Sequence, residues 1–218
     1  MRKTVLTAAL ALLSVCVGCR SQQPSPYSDY RTAPADLKRD TEAARKRNAA
    51  AVGFLREGKL DKAEKELKAA LGADLFFGPA HNNLGIVYQR RGEYYLAAWE
   101  FQYAARLMAR KAEPRNNLGL VYETVGRLDE SAKWYDEAMG IDSENTEVAG
   151  NLARVLVKNG KDKERVRQLL DEIILKDPRP DWVAWAKEER AMMGRSSEDI
   201  SGEEPSGGKA APADEDLQ

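Results

Sequence analysis

Asn82-Asn83-Leu84-Gly85, followed by Tyr88 and Gly92, is written a second time as Asn116-Asn117-Leu118-Gly119, followed by Tyr122 and Gly126. Every equivalent pair lies 34 residues apart. A fixed period of this size with helical patterning marks a chain of repeated units, each too small to bury its apolar face alone. The same ruler reaches Gly58 on one side and Gly160 on the other. Each of these glycines follows one apolar-periodic segment and precedes another, the position of a left-handed helix C-cap. The spacing predicts helix pairs near 36–57 and 60–73, 79–91 and 94–109, 112–125 and 128–140, and 145–159 and 162–176.

These residues resemble the tetratricopeptide repeat family. In the second unit Leu84, Gly85, Tyr88, Ala97, Phe101 and Ala104 fall on the family's signature positions. Leu118, Gly119, Tyr122, Ser131, Tyr135 and Ala138 do so in the third. The first unit offers Ala51, Phe54, Ala63, Leu67 and Ala70, and the fourth Leu152, Ala153, Leu156 and Gly160. The closing Asp177-Pro178 fits the fourth unit with one residue inserted around Lys161 to Lys163. Small residues let the paired helices approach while aromatic rings fill the space beside them. The resemblance implies an all-α fold, an α-solenoid of about four helix-turn-helix repeats over residues 36–178.

An open solenoid end needs cover. Pro178 and Pro180 stop the last repeat, Asp181 is placed to N-cap a further helix, and Trp182, Trp185, Ala186 and Met192 share one of its faces. A capping helix is expected over residues 179–194, and residues 195–218, rich in Ser, Gly, Pro and acidic side chains, read as a disordered acidic tail.

Composition narrows the function. Among 218 residues, 34 Lys+Arg oppose 35 Asp+Glu, so no basic excess points to nucleic acid. The only cysteines, Cys16 and Cys19, sit near the N-terminus, and His81 is the only histidine. With no Cys/His cluster, phosphate-binding glycine loop or nucleophile motif, the sequence predicts a non-enzymatic protein without a metal or cofactor.

Residues 1–18 read as a signal peptide, with Arg2 and Lys3 ahead of an apolar Val5–Val17 too short to span a bilayer. The Gly18-Cys19 junction resembles the bacterial lipobox, making Cys19 the expected lipidation site, with Cys16 as the alternative and an ordinary cleaved signal or an uncleaved anchor as the plainer readings. Residues 19–35 then form a Pro/Ser-rich tether. Arg20, rather than Asp, follows the cysteine. By resemblance to enterobacterial sorting this implies a lipid-anchored protein of the bacterial cell envelope, at the outer membrane facing the periplasm.

In the resembled family the first helices of successive repeats line a groove that receives an extended peptide or a partner helix. Asn83, Asn117 and Asn151 recur there every 34 residues. An amide both donates and accepts, so such a row can grip a peptide main chain or join neighbouring helices. Asn82, Ile86, Gln89, Arg90, Asn116, Leu120, Glu123 and Arg154 are the other groove positions implied, a mixed surface without the Lys/Arg clamp that takes chaperone C-termini.

On the second helix of the second repeat, Tyr95, Trp99 and Tyr103 form one stripe, where the next repeat has Asp129, Lys133 and Glu137. Such a stripe is expected to be covered, by a homodimer contact, a partner, the tether's Tyr27 and Tyr30, or internal burial. The function expected is a lipid-anchored scaffold binding a protein or extended peptide in its groove, for example in assembly of an envelope or pilus/secretion complex. The alternatives are a self-associating structural component and an adaptor for cell-wall hydrolases.

Overall fold

The computed structural model describes residues 39–194 and 211–212, all within the unit Lys38–Gln218. The signal, Cys19, the tether and most of the acidic tail lie outside the described residues. The described residues form four helix pairs: α1 (Thr41–Arg56) with α2 (Leu60–Ala73), α3 (Gly78–Arg90) with α4 (Tyr94–Leu107), α5 (Glu113–Thr124) with α6 (Leu128–Met139), and α7 (Thr146–Asn159) with α8 (Lys163–Lys176). A last helix, α9 (Pro180–Met192), packs on α8. The first helix begins at Thr41, not near residue 36, because the Asp40 carboxylate accepts the Ala43 N–H at 2.9 Å and caps it there.

All four register glycines are left-handed, with φ of 69° at Gly58, 76° at Gly92, 77° at Gly126 and 64° at Gly160. In the first three turns the next residue's N–H returns to a carbonyl five residues back: Lys59 to Phe54 at 2.9 Å, Glu93 to Tyr88 at 2.9 Å and Arg127 to Tyr122 at 2.8 Å. The fourth turn carries the inserted residue. Asp162 takes it up at φ 50°, and its carboxylate caps α8 through the Arg165 N–H at 3.1 Å.

Small faces large where each pair closes. A Cβ on Gly85 would stand 2.6 Å from the Phe101 ring, and Gly119 faces Tyr135 in the same way. Ser131, standing where the previous repeat has Ala97, donates its hydroxyl to the Gly119 carbonyl at 2.8 Å, so its burial leaves no orphaned donor. The buried residues form two clusters, one through the first two repeats and one from α5 to α9. Helix α5 serves both, sending Leu118 and Val121 into the first and Leu120 into the second.

Across repeats, α1 meets α3, α3 meets α5 and α5 meets α7, whereas α2 and α4, and α4 and α6, approach each other less. The first helices are therefore the inner lining of the stack. At its end Trp182 lies where a Cβ on Gly150 would be, 2.8 Å from the ring, and meets Trp185 edge-on at 5.5 Å. The cap of α9 is Arg179 with Pro180 in the first turn, not Asp181, which is exposed. Buried Asp177 fixes that cap by accepting from Arg179 Nε at 3.0 Å and Nη2 at 2.7 Å.

Candidate functional site

Two kinds of side chain occupy the inner face. The first is a set of amide rungs. Asn83 Nδ2 donates to Asn48 Oδ1 at 2.8 Å, Asn117 to Asn82 at 3.1 Å and Asn151 to Asn116 at 3.2 Å. Asn82 and Asn116 in turn donate to Glu113 at 2.7 Å and Glu147 at 3.0 Å. Each rung joins the first helices of neighbouring repeats. Asn82, Asn116 and Asn151 are buried, while Asn83 and Asn117 are half-buried. The amide nitrogens of the row expected to grip a peptide are thus directed at the preceding repeat. A buried amide left unbonded would be costly, which is why the positions recur as pairs.

The second is an ionic cluster. Arg154 on α7 reaches Glu123 on α5 with both Nε at 3.0 Å and Nη2 at 2.9 Å, a two-pronged pair. Lys158 Nζ approaches the same carboxylate at 2.6 Å and Tyr135 Oη donates to it at 3.3 Å. Burial acts to raise the Glu123 pKa, but the hydrogen bonds and charges of Arg154 and then Lys158 outweigh it and hold the carboxyl below the usual range. The Arg154 guanidinium carbon lies over the Trp182 ring, 5.2 Å from its centre. Its remaining edge, Nη1, donates to the backbone carbonyl of Pro212 at 3.1 Å. Beside it the half-buried Ala211 packs on the second core cluster.

Residues 112–145 match the tetratricopeptide repeat family. The fold is a tetratricopeptide-repeat solenoid. The solved structure of Pseudomonas aeruginosa pilF is similar, 24% identical with a TM-score of 0.63 over 70% of this chain and 69% of that one. YrrB, described as a tetratricopeptide protein with an unusual peptide-binding site, is 18% identical with a TM-score of 0.60 over 71% and 79%. The first tetratricopeptide domain of Spaghetti (RPAP3), solved with an HSP90 peptide, is 17% identical with a TM-score of 0.55 over 58% and 100%. A search of curated proteins found no matching sequence.

The remaining positions of the tetratricopeptide groove divide by burial. Gln89 and Leu120 are buried, and Ile86 is half-buried against the first core cluster. Arg90 Nη1 is held by the Leu55 carbonyl at 2.9 Å. Glu123 and Arg154 are the two groove candidates brought into one charged cluster. His81 is buried between the Glu100 carboxylate at 2.7 Å and the Leu75 carbonyl at 2.8 Å, with the Tyr103 ring 4.6 Å away. It ties α3 to α4. Among the described residues no group of three His, Cys, Asp or Glu side chains converges as metal ligands would.

The aromatic stripe on α4 splits. Tyr103 turns to His81, whereas Tyr95 and Trp99 stay 81% and 61% exposed. Those two rings, with Tyr122, Val125 and Arg127, border a cleft of about 400 Å³ between the second and third repeats. Sequence reasoning did not find Asn48, Glu113 and Glu147 as the partners of the asparagine row. The 34-residue spacing of Glu113 and Glu147 was the available signal for two of them. Nothing in the sequence pointed to Pro212.

Proposed function

We propose that this protein is a lipid-anchored scaffold of the bacterial cell envelope, tethered through Cys19 at the outer membrane and facing the periplasm. The inner face of its solenoid holds an extended peptide or a partner protein during assembly of an envelope, pilus or secretion complex. The observation that carries the binding reading is Arg154 holding the Pro212 main-chain carbonyl on the first-helix face. A side chain that takes a backbone carbonyl recognises an extended chain whatever its sequence. Peptide binding described for YrrB and for the Spaghetti domain supports the same class of ligand. The signal-like residues 1–18 and the Gly18-Cys19 junction support the anchor.

Two experiments test this. Cys19→Ser should move the protein from the membrane fraction to the soluble one, and unchanged membrane association would refute the anchor. A photo-crosslinking residue at Thr124 or Lys158 in the full chain should capture one and the same partner segment. Absence of specific capture from both positions would refute the groove. The exposed Tyr95 and Trp99 favour a second contact surface, for a homodimer or a second partner. Light scattering on the purified chain distinguishes these, since high-order assembly without a partner would favour a self-associating structural component.

A further inference from the structure

We infer that the C-terminal segment containing Ala211–Pro212 is a resident intramolecular ligand of the groove, which an external peptide must displace. The inference rests on the groove reading above and adds what occupies the groove in the free protein. The receiving group is built in advance. Glu123 holds the Nε and Nη2 edge of Arg154 and the guanidinium carbon lies over the Trp182 ring, so the guanidinium is fixed before any ligand arrives. Its side chain is only 7% exposed, and Nη1 meets the Pro212 carbonyl.

The ligand is suited to this seat. A residue before proline is restricted to extended conformations, so Ala211 loses little freedom on docking. Its methyl is small enough to pack on the core cluster that ends at α9. The contact reads a main-chain carbonyl, a small apolar residue and a proline, which defines the external peptide that would compete: an extended segment of Ala-Pro type. Lys158 and Arg179 flank Arg154, and these three cations share the two carboxylates Glu123 and Asp177.

Sixteen residues separate Gly194, at the end of the described cap, from Ala211. Fully extended, they reach about 60 Å, so distance does not prevent return to the groove. Tethering makes the contact unimolecular, with an effective concentration on the order of 1 mM for a short linker. Against a free peptide of about 100 μM intrinsic affinity, such a tether weakens apparent binding roughly tenfold.

The test uses the full chain, with a fluorescein-labelled peptide of residues 207–218 as probe in anisotropy titrations. Ala211→Lys puts charge and length into the apolar seat beside Arg154 and frees the groove without touching the solenoid. The expected result is about tenfold tighter probe binding to Ala211→Lys than to the wild type. A photo-crosslinking residue at Ala213 of the otherwise wild-type chain should give intramolecular products with α5, α7 or α9. Equal binding to both chains, or crosslinks scattered over the surface, would overturn the resident ligand and leave the groove reading standing. Binding to neither chain would overturn the groove reading and this inference with it.

Discussion

Replacing Glu123 by Gln probes the charge cluster that joins the third and fourth repeats. The Glu123 and Arg154 side chains are 9% and 7% exposed, so their pair is not a surface ion pair of about 0–1 kcal/mol. Removing one partner of a buried pair costs about 3–5 kcal/mol, because the other charge is left desolvated and unmatched. The Lys158 side chain is 52% exposed and its ion pair adds less than about 1 kcal/mol. Gln keeps one oxygen to accept from Arg154 or Tyr135, which places Glu123→Gln near the lower end, about 3 kcal/mol, and Glu123→Ala nearer 5.

Urea unfolding at neutral pH measures the loss, and a series toward acid identifies its origin. The folded-state pKa of Glu123 is lowered, so the carboxylate's contribution is complete above its unfolded value of about 4.3 and disappears as pH falls through the folded value. The gap between wild type and Glu123→Gln should therefore close in acid. A loss under about 0.5 kcal/mol at pH 7, or one that stays constant into strong acid, would refute the buried-pair account.

Three further substitutions address packing and surface. Gly126→Ala meets nothing within 4 Å but must keep φ at +77°, so thermal unfolding should show a purely backbone cost of about 1–2 kcal/mol. Gly85→Ala gains about 1 kcal/mol of helix propensity but drives a methyl to 2.6 Å from Phe101, and overpacking of about 1–3 kcal/mol should win. Phe101→Leu in the same chain should recover part of that loss; denaturant midpoints of the single and double variants would show it. Trp99→Lys should leave stability within about 0.5 kcal/mol while abolishing any self-association or partner capture through the exposed patch, as light scattering and crosslinking would report.

The solenoid was readable because its defining positions are local. A left-handed turn demands glycine, and a close helix pair demands Gly85 opposite Phe101; both requirements repeat with the period. Even the odd residue in the fourth repeat could be seen from the displaced Asp177-Pro178, and it falls at Asp162. The inner face was less legible. An asparagine every 34 residues suits a peptide grip and an inter-repeat rung equally, and only coordinates show that Asn117 donates to Asn82. The seating of Pro212 on Arg154 links residues 58 apart through a backbone carbonyl, a group every residue possesses and no side-chain pattern announces. The start of α9 turned on a similar ambiguity, since Asp181 and Arg179 both border Pro180 and the Asp177 carboxylate decides between them.

The contact of Trp182 with Gly150 has a consequence for how such a chain can lengthen. Gly150 stands 34 residues after Asn116, at the position where the three preceding repeats present an acceptor amide to the next one. There the socket has been replaced by a hydrogen atom and an indole, and the buried Oδ1 of Asn151 meets no donor among the described residues. The stack is therefore polar in its growth. Extra copies of residues 112–145 inserted within the array would each bring both plug and socket and join in register. A repeat appended after α8 would find nothing to plug into and would have to evict Trp182 first.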